Sequence, residues 1–401
     1  MAPEERAGPL EGVVVLDCTQ VMAGPFCTLL LADMGADVIK VERPQGGDET
    51  RRMGPFYADG WSAPFTLINR NKRSLALDLR HPRGREVFLR LARRADVVVE
   101  NFRPGTLARL GVGYSQVRQV RPEVVYCSIS GFGQTGPYAS RGGFDLVAQG
   151  MSGLMSVTGH PNTPPAKVGV PIADLNAGLF AAYGILAAYV HRLRTGQGQH
   201  VDTSLLEGAM AYLFWEAAVY FATGQVPGPL GSAHRLTAPY QAFRTRDGYL
   251  VLGAANQATW ERLCRLLGRE ELLEDPRFRT AADRKRHERE LEGELEAAFA
   301  ARTTAEWVDA LTEAEVPAGP VYDLAQALAD PHVQARGMAA QVEVPGLGPV
   351  RQLGLPVKLS ATLGRIRRPA PRLGQHTDEV LAWGRFSPEE VAALRREGVV
   401  A

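Results

Sequence analysis

Apolar residues in the first third of the chain fall into short continuous runs: GVVVLD at 12–17, ADVIKVE at 36–42, DVVVE at 96–100 and VVYCSIS at 124–130. Runs of this length, rich in β-branched residues and bounded by glycine or polar clusters, predict strands buried on both faces. Between them lie helical segments: GPFCTLLLADMG at 24–35, the stretch 82–94, and a short helix before VGYS at 112–115. Strand and helix in alternation predict a parallel sheet covered on both sides.

The pattern then changes. Helices are predicted at 175–193 and from Ser204 to about Phe221, the second opening with Ser204 and Glu207 at capping-box spacing. Gly196 and Gly198 supply the stop between them. GQVPGPLGSAH at 224–234 reads as a linker, and PYQAFRTRDGYLVLGA after it as a hairpin turning at Asp247 and Gly248, so a smaller α+β region begins there. Helices at 257–267, 282–302 and 304–313 follow, the last with a Thr303/Glu306 capping box. VPAGPVYD at 316–323 breaks the pattern, short extended pieces occupy 341–360, and SPEEVAALRREG closes the chain as a capped helix.

Composition narrows the function. With 401 residues, 45% of them hydrophobic, the chain can bury a sizeable core in two or three domains. Its 45 basic and 44 acidic residues leave a net charge of +1, so no global field draws it to nucleic acid or an anionic membrane. Cys18, Cys27, Cys127 and Cys264 form no CxxC pair and no zinc spacing, which predicts a reducing compartment and no structural metal. The N-terminus, MAPEERAGPLEG, lacks the apolar core of a signal peptide, and no stretch approaches the roughly 18 apolar residues of a membrane span. The expectation is a cytoplasmic protein.

Candidate chemistry gathers near strand ends. DCTQVMAGP at 17–25 occupies the first βα turn, where α/β proteins bind phosphates, but carries no GxGxxG, and no GxxxxGKS or GxxxxGKT occurs anywhere. Lys72 and Arg73 in NRNKRS, Arg103 in NFRPG, and Arg109 could hold phosphates, although each taken singly is more often solvated surface. The glycines of SISGFGQTGP at 128–137 fit either a close approach to a ligand or a plain turn. In VGVPIADLNAGLFAAYG at 168–184, Asp174 stands immediately before the predicted helix. It fits a helix cap, and it also fits a nucleophile, because a helix N-terminus favours an ionised carboxylate. Spacing leaves both open.

Taken together, LDCTQVMAGP, GADVIKVERP, NRNKRSLALDL, VENFRPG, YCSISGFGQTGP, GVPIADLNAG, PYQAF with DGY, VPAGPV and LGQHT resemble the family III CoA-transferases, from about Leu10 to Thr377. That family includes the carnitine and bile-acid enzymes, formyl-CoA transferase and the 2-methylacyl-CoA racemases. The resemblance implies an enzyme, a transferase of sulfur-containing groups, with a catalytic aspartate in a GxPxxD segment matched by Gly169, Pro171 and Asp174. The Asp174 carboxylate is then expected to pass through an acyl anhydride and an aspartyl-CoA thioester.

Carried over motif by motif, the CoA contacts are Val21, Met22, Ala23, Arg43, Lys72, Asn101, Phe102 and Arg109. Asp145 matches an acidic position beside the nucleophile. Phe144 stands where the racemases have their histidine, which ranks transfer above racemisation. GAANQATW at 253–260 lacks the glycine-rich loop of formyl-CoA transferase, so oxalate and formate are not the expected substrates. The similarity is greatest to the succinyl-CoA:dicarboxylate branch, for which His234 or Arg235 could supply a cation.

The implied fold is α/β: a large domain with an open Rossmann-like parallel sheet, at 1–223 with the returning segment 331–401, a smaller α+β domain at 224–330, and an interlocked homodimer. The implied substrates are an acyl-CoA such as succinyl-CoA and a small carboxylic acid, with CoA thioester as substrate and no tightly bound cofactor or metal. An acyl-CoA racemase, an intramolecular CoA transfer and a non-catalytic CoA-binding protein are the alternatives.

Overall fold

The computed structural model describes residues 8–401, so the expectation drawn from MAPEERA at 1–7 lies outside the described residues. Two compact units divide the chain. One is formed by the chain up to Leu154 with Lys167–Leu213 and Pro331–Ala401, the other by Met155–Ala166 and Phe214–Asp330.

In the first unit the elements run β1 (Val14–Asp17), α1 (Ala23–Asp33), β2 (Asp37–Glu42), β3 (Lys72–Ala76), α2 (Pro82–Ala92), β4 (Val97–Glu100), β5 (Val125–Ser130), α3 (Asp145–Met151), α4 (Ile172–Thr195), β6 (His200–Ser204) and α5 (Leu205–Met210). The six strands are all parallel, in the order β3-β2-β1-β4-β5-β6. Successive side chains in a strand point to opposite faces. One face sends Val15, Val38, Val99 and Cys127 against α1 and α4, and the other sends Leu16, Ile39, Val98 and Tyr126 against α2. Strand order reverses between β1 and β4, which opens a crevice at their C-terminal ends, the usual ligand position in such sheets.

Three expectations need correction. α4 is by length and composition long and apolar enough to cross a membrane, contrary to the reading of the sequence. In the fold, its Ala177, Ala181 and Ile185 are instead buried among residues of β4, β5 and α1. β6 was not anticipated, because as an edge strand it is only partly buried and its His-Val-Asp-Thr-Ser sequence is largely polar. The helix expected from Ser204 to about Phe221 is two helices, α5 and Phe214–Thr223, broken where the chain passes from the first unit to the second. The second unit therefore begins before residue 224 and also takes in 155–166.

In the second unit β7 (Tyr240–Arg244), β8 (Tyr249–Gly253) and β9 (Ala318–Pro320) form an antiparallel sheet in that order. The turn is closed by Thr245, whose Oγ1 accepts a bond from Gly248 N. Helices Gln257–Leu267, Glu288–Phe299 and Thr304–Glu313 pack on the sheet through Trp260, Leu263, Leu295, Phe299 and Trp307.

After residue 330 the chain rejoins the first unit as a hairpin, β10 (Ala339–Val344) with β11 (Gly348–Leu353). It then lies along β3, where His376 N donates to Ser74 O at 3.0 Å and Asp78 N to Val399 O at 2.9 Å.

Candidate active site

The first turn, from Asp17 to Ala23, is braced from three sides. Asp17 at the end of β1 accepts from Thr19 N at 2.9 Å and Thr19 Oγ1 at 2.5 Å, while Thr28 Oγ1 donates to its other oxygen at 2.7 Å. From β2, Lys40 Nζ donates to Thr19 O at 2.9 Å and pairs with Asp48 at 2.8 Å. Asp48 Oδ1 accepts from Val21 N at 3.2 Å. Burial opposes ionisation of Asp48, yet Lys40 and the Thr50 hydrogen bonds hold its carboxyl well below the usual carboxylate range. From β4, the Asn101 amide accepts from Gln20 N at 2.8 Å and donates to Gln20 O at 2.7 Å.

These bonds hold Val21 at φ 68°, a left-handed conformation that costs a β-branched residue about 1–3 kcal/mol. The result is a rigid loop over the switch point that carries Val21, Met22 and Ala23. Asn101 and Phe102 follow β4 at the same edge, with Phe102 N donating to Glu100 Oε2 at 2.9 Å. Burial pushes the Glu100 carboxyl up to about 7. Arg43, just after β2, is exposed and bonds to Gly47 O and Glu49. Arg109 is exposed and reaches Thr106 Oγ1 at 3.1 Å.

Lys72 stands apart from this group. Its Nζ is fully buried beneath the turn, within 2.8–3.0 Å of Thr28 Oγ1, Asn69 Oδ1, Asp17 Oδ2 and Pro25 O. Burial pushes its amine down to about 8 against the pull of Asp17. Four acceptors for three ammonium hydrogens leave nothing for a bound phosphate. Lys72 is thus a brace of the turn and not a cation offered to a ligand. Arg73 likewise forks onto Asp37, the first residue of β2, at the opposite end of the strands.

Asp174 does not cap its helix. α4 begins at Ile172, its N-cap is Pro171, and Asp174 lies within the first turn. The cap comes from α3, where Asp145 Oδ1 accepts from Ala173 N at 2.8 Å and Asp174 N at 3.4 Å. No described residue donates a hydrogen bond to the Asp174 carboxylate. Burial, and secondarily the negative charge of Asp145, push Asp174 up to about 7.

One turn on, Gly178 lets α4 meet α1 closely: a Cβ there would stand 2.5 Å from Ala23 O. Residues four apart share a helix face, so the face of α4 that carries Asp174 meets the start of α1, just after the braced turn.

Phe144, 77% exposed, precedes Asp145, and Gly169 is exposed with open space at its α-carbon. Gln149, wholly buried in α3, bonds to Asp145 and to the segment before Pro171. Sequence reasoning missed it; the only signal was its place four residues after Asp145. In the second unit, Arg235 is engaged by Glu216 and Gly228 O, and His234 Nδ1 accepts from Leu236 N.

Residues 10–377 match the family model of CoA-transferase family III. A succinate-glutarate CoA-transferase of Agrobacterium fabrum is 42% identical over 388 residues, which cover 94% of this chain and 96% of that protein. An acetyl-CoA:oxalate CoA-transferase of Acetobacter aceti is 39% identical over 98% of this chain and 97% of its own. A crystal structure of a CaiB/BaiF family protein from Brucella suis superposes with a TM-score of 0.84 at 38% identity, covering 94% of this chain and all of that one.

Proposed function

Because the chain belongs to CoA-transferase family III, we propose that it moves CoA from succinyl-CoA to a small dicarboxylate, with Asp174 as the covalent carrier. The Asp174 carboxylate attacks the thioester carbonyl and expels CoA thiolate, giving a mixed anhydride. The thiolate attacks the aspartyl carbonyl, releases succinate and leaves an aspartyl-CoA thioester. An acceptor carboxylate attacks that thioester and frees the thiolate, which then takes the new acyl group and restores Asp174. No bond energy is lost to water as long as the site excludes it.

The observation that carries this reading is the state of Asp174: seated in the first turn of α4, with the cap supplied by Asp145 and with no hydrogen-bond donor to its carboxylate among the described residues. A carboxylate so placed is an available nucleophile. The braced turn, Arg43, Asn101, Phe102 and Arg109 supply the CoA-binding edge. An exposed phenylalanine at position 144 offers no base for proton exchange, which argues against a racemase.

The acceptor is glutarate or a similar dicarboxylate, a reading supported by the succinate-glutarate CoA-transferase of Agrobacterium fabrum, 42% identical over nearly the whole of both chains. The active form is a homodimer. Leu179, Tyr183, Leu186, Val190 and Leu193 are exposed on α4 at spacings of four and three, the seam a partner helix would cover.

The test is peptide mass spectrometry after incubation with succinyl-CoA and hydroxylamine, beside an Asp174→Ala control. A hydroxamate on Asp174 is expected. CoA transfer to glutarate with Asp174 unmodified would overturn the reading.

A further inference from the structure

Gln149 is a wholly buried amide, and burying an amide is unfavourable unless its groups are bonded. Here all are engaged. Nε2 donates to Asp145 Oδ2 at 2.7 Å and reaches Val170 O at 3.5 Å, and Oε1 accepts from Val168 N at 2.9 Å. The other oxygen of Asp145 takes the two backbone N–H groups at the start of α4. Together the two side chains of α3 grip the chain on both sides of Pro171: Gln149 the approach at 168–170, Asp145 the first helical turn.

We infer that Gln149 is a positioning residue for the nucleophile: it locks Asp145 and the 168–170 segment into one unit that presents the Asp174 carboxylate at a fixed place beside a fixed charge. The inference rests on the reading of Asp174 as nucleophile. An amide suits the position because it donates to a carboxylate and accepts from the backbone at once. Leucine does neither, and an ionised glutamate only accepts.

The neighbouring charge is specific. Other charged groups on the elements packed around α4 are committed elsewhere: Asp33 to Arg70 and Asn71, Glu207 to Ser204, His200 to Ser128, and Asp202 to Gln134 N. Lys167, on the approach, donates to the carbonyls of Val168 and Gly169. Asp145 is the charge that acts on Asp174.

The experiment follows the rate of Asp174 hydroxamate formation from succinyl-CoA in the full chain, on both sides of neutral pH, with CoA affinity measured separately by calorimetry. Gln149→Leu is expected to slow acylation about 10- to 100-fold, as misplacement of a reacting group does, with CoA affinity unchanged. Gln149→Glu sets a second carboxyl against Asp145 and is expected to move the inflection of the rate profile to higher pH. Asp145→Asn, which keeps the cap, is expected to move it lower. The double variant Gln149→Leu with Asp145→Asn is expected to be barely slower than the slower single one, since the two residues act as a unit.

Should Gln149→Leu not fold, Gln149→Glu, of the same shape, carries the test alone. Gln149 variants that acylate at the unsubstituted rate with an unmoved inflection, whatever their melting temperature, would overturn the inference and leave the nucleophile standing. Absence of hydroxamate on Asp174 in the unsubstituted protein during CoA transfer overturns the nucleophile, and this inference with it.

Discussion

Asp174 is a carboxylate that the fold keeps from ionising freely, because burial and then Asp145 raise its proton affinity. The folded chain binds this proton more tightly than the unfolded chain, whose carboxyl titrates near 4. Stability from this group is therefore fully present below about pH 4 and is lost as pH rises through about 7. The proposed chemistry runs the other way, since in it only the anion attacks. Acylation of Asp174 by succinyl-CoA is predicted to rise with pH and level off above an inflection near 7, as stopped-time labelling will read. Asp174→Asn separates the two effects. It is predicted to reduce transfer at least about 10³-fold and, above neutral pH, to stabilise the fold by about 1–3 kcal/mol after allowance for partial exposure. Assays of CoA transfer beside urea titrations at acid and alkaline pH check both, and a less stable variant at alkaline pH contradicts the argument.

Between helices, the same substitution has opposite signs at two glycines. Gly178 packs α4 on α1, and its replacement by alanine drives a Cβ into the carbonyl of Ala23, a backbone atom that cannot rotate away. Gly178→Ala is predicted to cost about 1–3 kcal/mol despite alanine's better helix propensity, and to weaken CoA binding by shifting the start of α1. Gly293, within Glu288–Phe299, has open space at its α-carbon, and Gly293→Ala is predicted to stabilise by about 0.5–1 kcal/mol. Urea unfolding of the two variants compares them directly. No propensity scale distinguishes these positions, which shows where sequence reading stops. The buried strands β1, β2, β4 and β5 were legible as short runs rich in β-branched apolar residues, whereas polar β6 was hidden by its edge position. Asp174 stood out by its motif. Its true capping partner, Asp145, and the buried state of Lys72 depend on contacts between elements far apart in sequence, which no local pattern records.

Over the whole molecule, the first unit depends on a segment that follows the second unit in sequence. Val380, Leu381, Leu394, Val399 and Val400 are all nearly or wholly buried in the layer that covers one face of the sheet, beside Leu75, Leu77 and Phe88. Burying each such side chain contributes about 1.5–3 kcal/mol, so together they supply on the order of 10 kcal/mol, an upper estimate because unfolded chains already bury some surface. Whole domains are stable by only about 5–15 kcal/mol. The segment also bonds to the open edge at β3 and just beyond it, through His376 N to Ser74 O and Asp78 N to Val399 O. A chain ending at residue 330 is therefore predicted to leave the first unit unfolded or aggregated, with β3 exposed as an unpaired edge. The second unit, whose core at Phe243, Trp260, Leu295 and Phe299 draws nothing from the missing segment, is predicted to keep its protection. Hydrogen exchange resolved by peptide reads both units in one sample. Fast exchange across β1 to β5 with slow exchange in 240–316 is the expected result, and native protection in β1 and β4 would show that the sheet holds without its returning segment.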